Sequence, residues 1–69
     1  MDVEKLKAVI REQGIKNSDL AKALGIDEST FYRKMLNGSF SVAQANKMVE
    51  ILGMDSKEAN SIFFNGKLA

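Results

Sequence analysis

Apolar residues in this chain recur at helical spacing and nowhere alternate as in a strand. Val3, Leu6, Val9 and Ile10 follow a period of 3.6 behind Asp2, a side-chain cap, which predicts a first helix over about 2–13. Farther along, Ser41 and Gln44 have the spacing of a capping box. Phe40 and Ala45 are placed as its hydrophobic staple, and Met48, Val49 and Leu52 carry the stripe onward as a helix. Asp55 with Glu58 begins a similar box. Behind it Ala59, Ile62 and Phe63 form one stripe of a last α-helix, expected to end near Asn65 and Gly66.

The stops agree with these starts. "GI" at 14 and 25 and "GM" at 53 each close a stretch of helical spacing. A glycine in the left-handed C′ position lets the next apolar residue fold back on the preceding turn, as Ile15 on Ile10, Ile26 on Leu20 or Ala21, and Met54 on Val49. Gly38 suggests a fourth end, although Ser39 brings no apolar partner. Between the first and fourth helices lie two short ones, about 17–24 and 27–37, separated only by Gly25 and Ile26. A connection so tight makes them cross steeply. Ala21 is small enough to sit at that crossing; equally, alanine is a good helix former anywhere, and the sequence leaves both readings open.

On the second short helix Phe31 and Met35, at i and i+4, define a buried stripe with neighbouring Ile26. Glu28, Ser29, Tyr32, Arg33 and Leu36 fall on the opposite face. A phenol, a guanidinium, a carboxylate and a hydroxyl there exceed what solvation alone requires. Plainer readings stand beside this one: Arg33 and Lys34 as solvated charges, and Tyr32 packed on a neighbouring helix.

Composition narrows the chemistry. In 69 residues there is no cysteine and no histidine, so a disulfide, a Cys/His zinc cluster and a histidine base are all excluded. A single small domain of this length buries only about 60% of its unfolded surface, so helix packing has to hold the fold. No glycine-rich phosphate loop is present, and the carboxylates Asp19, Asp27 and Glu28 suit helix starts, so neither catalysis nor a cofactor or small-molecule substrate is expected. The opening "MDVEKLK" is unlike a signal peptide, and no window approaches the ~18 apolar residues of a membrane span, so an intracellular, cytoplasmic location is expected. A net charge of +1 neither demands nor rules out nucleic acid, because a binder can concentrate its bases on one face.

"LAKALGID" followed by "STFYRKMLNG" resembles the helix-turn-helix domains of the phage repressor and Cro family, the Xre type. Leu20, Ala21, Gly25, Ile26, Asp27, Phe31, Asn37 and Gly38 stand at that family's spacing, and the likeness spans nearly the whole chain. The resemblance implies an all-α, five-helix fold of the lambda-repressor-like type, with the helix-turn-helix at about 17–37. It also implies a sequence-specific transcriptional regulator of double-stranded DNA, a Cro-like repressor from a phage or prophage, acting as a homodimer on an inverted repeat. The second paired helix would enter the major groove, making Glu28, Ser29, Tyr32 and Arg33 the candidate base readers. Asn17 stands where the family often has a glutamine that braces the phosphate and the recognition helix, and Lys16, Lys22, Lys34, Ser39 and the amides at the start of the preceding helix would be further phosphate contacts.

Three departures carry expectations of their own. Lys16 stands where the family has a Thr or Ser cap, so the helix would start one residue later with Asn17 as cap. The stretch from Gly25 to Gly38 is one residue longer than in many members. Acidic Glu28 would repel phosphate yet could accept a hydrogen bond from cytosine N4. Near the end, Phe63 and Phe64 are adjacent and are not expected to face one core together; Phe64 and Leu68 are the expected contributors to a subunit contact. The alternative function is a small helical protein-binding module, antirepressor-like, using the Tyr32 and Leu36 face.

Overall fold

The structure, a computed structural model, describes residues 1–64. It is all-α: α1 (Val3–Gln13), α2 (Asn17–Ala23), α3 (Glu28–Asn37), α4 (Val42–Leu52) and α5 (Ser56–Ala59), the last running directly into a π-helical turn, Asn60–Phe64. No strand occurs among the described residues.

Local chemistry sets the boundaries. Asp2, Asp27, Ser41 and Asp55 each accept a hydrogen bond from the backbone N–H three residues on, which satisfies an amide that the first turn leaves unpaired. At Ser41 the box is reciprocal, since the Gln44 side chain returns to the Ser41 amide at 2.9 Å. At Asp55 only the carboxylate half forms, with the Glu58 amide at 2.8 Å. Each helix end expected at a glycine shows the same back-bond: the amides of Ile15, Ile26, Ser39 and Met54 donate to the carbonyls of Ile10, Ala21, Lys34 and Val49. Gly25, at φ +76°, makes the reversal that brings α2 onto α3 within two residues.

One core joins the helices. Leu6, Val9 and Ile10 of α1, Leu20 and Ala21 of α2, Phe31 and Met35 of α3, and Met48 and Leu52 of α4 are buried together with Met54 and Ile62. Ala21 is 1% exposed, as a small residue beneath a crossing should be. Ile26 and Phe40 pack against the rim of this core.

Two expectations need correction. Lys16, not Asn17, occupies the cap position of α2, in extended backbone and with no side-chain bond; Asn17 is the first helical residue. A lysine has no acceptor to offer an N–H there, so this end goes uncapped by a side chain. The last helix is also not α-helical throughout. After Ala59 it widens into the π turn, which rotates less per residue and thereby leaves Ile62 buried while Phe63 and Phe64 are both half-buried, their ring centroids 6.3 Å apart. The two rings line one cleft with Met1, Phe40 and Val42, and of the two it is Phe63 that packs against the core, so the adjacent aromatics do not face it together. The Asp2 amide donates to the Ile62 carbonyl at 2.6 Å, tying the start of α1 to this turn. The expected end near Asn65 and Gly66, and Leu68, lie outside the described residues.

Candidate nucleic-acid interface

α3 is anchored from beneath and open above. Phe31 is 0% and Met35 3% exposed, while Glu28, Ser29, Tyr32, Arg33 and Leu36 are on the surface, as the helical spacing predicts. An anchored stripe fixes the helix axis, so the outward side chains project from a rigid base. Leu36 and Tyr32 are the exposed large hydrophobic side chains of α3, at 74% and 49%.

At the start of α3 a small hydrogen-bond chain organises the polar groups. The Asp27 carboxylate accepts from the Thr30 amide at 2.7 Å and from the Ser29 hydroxyl at 3.1 Å. Arg33 Nη2 in turn donates to Thr30 Oγ1 at 3.3 Å. Hydrogen bonds from the Thr30 hydroxyl and amide, then from the Ser29 hydroxyl, hold the Asp27 carboxyl below its ordinary 3.8; loss of hydration opposes them and the charge of Arg33 adds to them. Ser29 therefore has its proton committed and retains acceptor capacity on its oxygen, and Arg33 keeps most of its donors free. Thr30, half-buried and one turn before Arg33, went unnoticed in the sequence; a hydroxyl at i−3 from an arginine was the available sign.

On the other flank Asn17 Nδ2 donates to Tyr32 Oη at 3.1 Å, joining the first residue of α2 to the middle of α3. Asn17 is half-buried and braces the phenol instead of capping its own helix. Beside this pair opens a cleft of about 400 Å³, lined by Lys7, Ile10 and Arg11 of α1, Asn17, Tyr32 and Met35. Lys7 and Arg11 were not singled out in the sequence. Their i,i+4 spacing places them on one side of α1, but only the packing of α1 beside α3 brings that side to Tyr32.

The remaining cations sit around α3. Lys16 and Lys22 are exposed on and before α2, Lys34 is half-buried at the α3 end, and Ser39 is exposed just past it. Among the described residues the ion pairs are Lys7–Glu4 at 4.0 Å and Lys47–Glu50 at 3.8 Å, both exposed and so worth little. Lys16, Lys22, Arg33 and Lys34 take no part in them. The described residues contain no helix long and apolar enough to cross a membrane.

Compared with known families, residues 5–59 match the Cro/C1-type HTH DNA-binding domain. The match runs from within α1 to the end of α5 and takes in the whole of the α2–turn–α3 unit described above. No curated protein and no solved structure matches the chain.

Proposed function

We propose that this chain, which belongs to the Cro/C1-type HTH DNA-binding domain family, is a sequence-specific regulator of transcription acting as a Cro-like repressor of phage or prophage origin. In this reading the chain is one domain over 1–69, works in the cytoplasm without catalysis, and places α3 in the major groove of double-stranded DNA. Glu28, Ser29 and Arg33 address base edges. Lys16, Lys22, Lys34 and Ser39 meet the flanking phosphates, and Tyr32, tied to Asn17, stands between the two sets.

The observation that carries the reading is the division of α3 itself: a fully buried Phe31 and Met35 on one side, and a face of mixed donors and acceptors on the other. Base edges in the major groove present both donors and acceptors, so a reader needs both kinds. One such helix spans few base pairs, and a two-fold dimer presenting two of them one DNA turn apart, about 34 Å, supplies the rest. Phe64, half-buried at the edge of its cleft, supports a contact between subunits at this end.

Selection of bound duplexes from a random pool tests the proposal. Recovery of one inverted repeat, with repression of a reporter placed behind it, is the expected result; an unenriched pool would contradict it. The 74% exposure of Leu36 beside Tyr32 favours one second reading, an antirepressor-like module docking another protein through this face. Under that reading the pool stays unenriched while a repressor protein binds the chain and Leu36→Lys abolishes the binding.

A further inference from the structure

We infer that Asn37 is a self-modification site, at which the Gly38 amide nitrogen displaces the side-chain ammonia and a carboxylate is left at the end of α3. The chemistry stands on this pair of residues; its effect on binding rests on the reading that α3 meets DNA.

Among the described residues the asparagines are Asn17, Asn37, Asn46 and Asn60, and only Asn37 is followed by a glycine. A glycine puts no side chain beside its own nitrogen, so that atom is open to the carbonyl carbon of the preceding side chain. Asn37 is exposed and is the last residue of α3, and Gly38 follows in the left-handed region at φ +62°. The nucleophile is also loosely held. Gly38 N–H reaches the Met35 carbonyl at 3.4 Å, whereas the amides of Gly14 and Gly25 close their helices at 3.1 and 3.0 Å. A bond that long is weak, and helix ends open at little cost.

Once the end opens, the Gly38 nitrogen gives its proton to water and bonds to Asn37 Cγ. The bond from Cγ to the amide nitrogen breaks and ammonia leaves, closing an imide ring. One water then opens the imide at either carbonyl, giving an aspartyl link or an isoaspartyl link whose main chain runs through Cβ. No oxidation state changes, and water is the co-reactant.

Either product places a negative charge where the last carbonyls of α3 already form the negative pole. That charge lies three residues beyond Lys34, close enough along a helix to draw the ammonium away from a phosphate. The isoaspartyl link also lengthens the main chain inside the turn that the Ser39 amide closes on the Lys34 carbonyl at 3.0 Å. Gly38 lines the cleft with Met1 and Phe40, so a shift there reaches the contacts that seat α3.

The test incubates the full chain at mildly alkaline pH, folded and in urea, and follows the exchange of NH₂ for OH by peptide mass, with Asn37 mapped apart from Asn65. Asn37 should convert in the folded chain within about tenfold of its rate in urea, because a helix end opens readily. A larger slowing overturns the site. In the binding arm, Asn37→Asp should weaken the selected and a scrambled duplex by one common factor and leave every base preference in place, as a weakened phosphate contact does, while Asn37→Gln binds as the parent does. If Asn37→Asp lowers the melting temperature, aged parent separated by charge from the unmodified chain replaces it. Parent-like affinity in the charged form, or an equal loss in Asn37→Gln, overturns the effect on binding. A parent that binds neither duplex overturns instead the DNA reading, and the mass measurement still decides the site.

Discussion

Phe31 and Phe40 hold their rings 5.5 Å apart at 52°, so the buried centre of α3 is tied directly to the residue that precedes the cap of α4. Phe31 is fully buried, and Phe40 covers it from the α3–α4 connection. The outward face of α3 is only as fixed as this contact. Phe31→Ala should cost about 3–5 kcal/mol, by lost burial and by the cavity left behind. In a domain this small that is most of the expected stability, and a denaturant melt should show the variant largely unfolded.

Ala21 tests the crossing of α2 and α3. It is 1% exposed, and its carbonyl accepts the Ile26 amide at 3.1 Å, so the turn closes directly over it. Ala21→Leu forces extra volume into that contact and should cost on the order of 1–3 kcal/mol. A thermal melt unchanged from the parent would place the crossing elsewhere.

Acid should act on the start of α3 through Asp27. Hydrogen bonds from Thr30 and Ser29 lower the folded-state pKa below the unfolded 3.8, so this group favours folding above 3.8 and loses that contribution as pH falls through the lower folded value. Asp27→Asn keeps a capping oxygen but no titrating group. Urea melts across this acid range should show a shallower loss of stability in the variant than in the parent. Equal slopes would mean that Asp27 is not held in this network.

The side-chain caps of α1, α3, α4 and α5 and the stops at Gly14, Gly25, Gly38 and Gly53 were legible because they depend on residues three to five apart. Asp2, Asp27, Ser41 and the glycine back-bonds all formed where their spacing placed them. The outward face of α3 followed equally well from the positions of Phe31 and Met35. What could not be read depends on how separate helices meet. The brace from Asn17 to Tyr32, fifteen positions on, was implied only by the family resemblance, and it stands where a cap was expected. Lys7 and Arg11 reach the same cleft only because α1 packs there. The π turn at Asn60–Phe64 had no local sign either, since Ala59, Ile62 and Phe63 fit an ordinary α-helical stripe.

Assembly on DNA follows from the size of one recognition helix. At saturating protein the footprint should cover two half-sites about one turn apart, and Phe64→Asp should shrink it to one half-site. A full footprint with Phe64→Asp would remove this end of the chain from the subunit contact.

The central claim is that the outward face of α3 reads base sequence, and Arg33 tests it most directly. Arg33 is exposed, one turn beyond Ser29, and is steadied by Thr30. If it reads a guanine through O6 and N7, Arg33→Ala should lose about 1–3 kcal/mol on the selected duplex, relax preference at a single base pair and leave scrambled DNA nearly unaffected. Glu28→Gln, measured alongside, should change the preferred base at its own position more than the affinity. The measurement is binding of parent and both variants to selected and scrambled duplexes at two salt concentrations. A preference lost at one base pair supports the account. Variants that bind both duplexes as the parent does would contradict it, and so would a loss in Arg33→Ala that is uniform across sequences with a salt slope lower by about one, the mark of a phosphate contact.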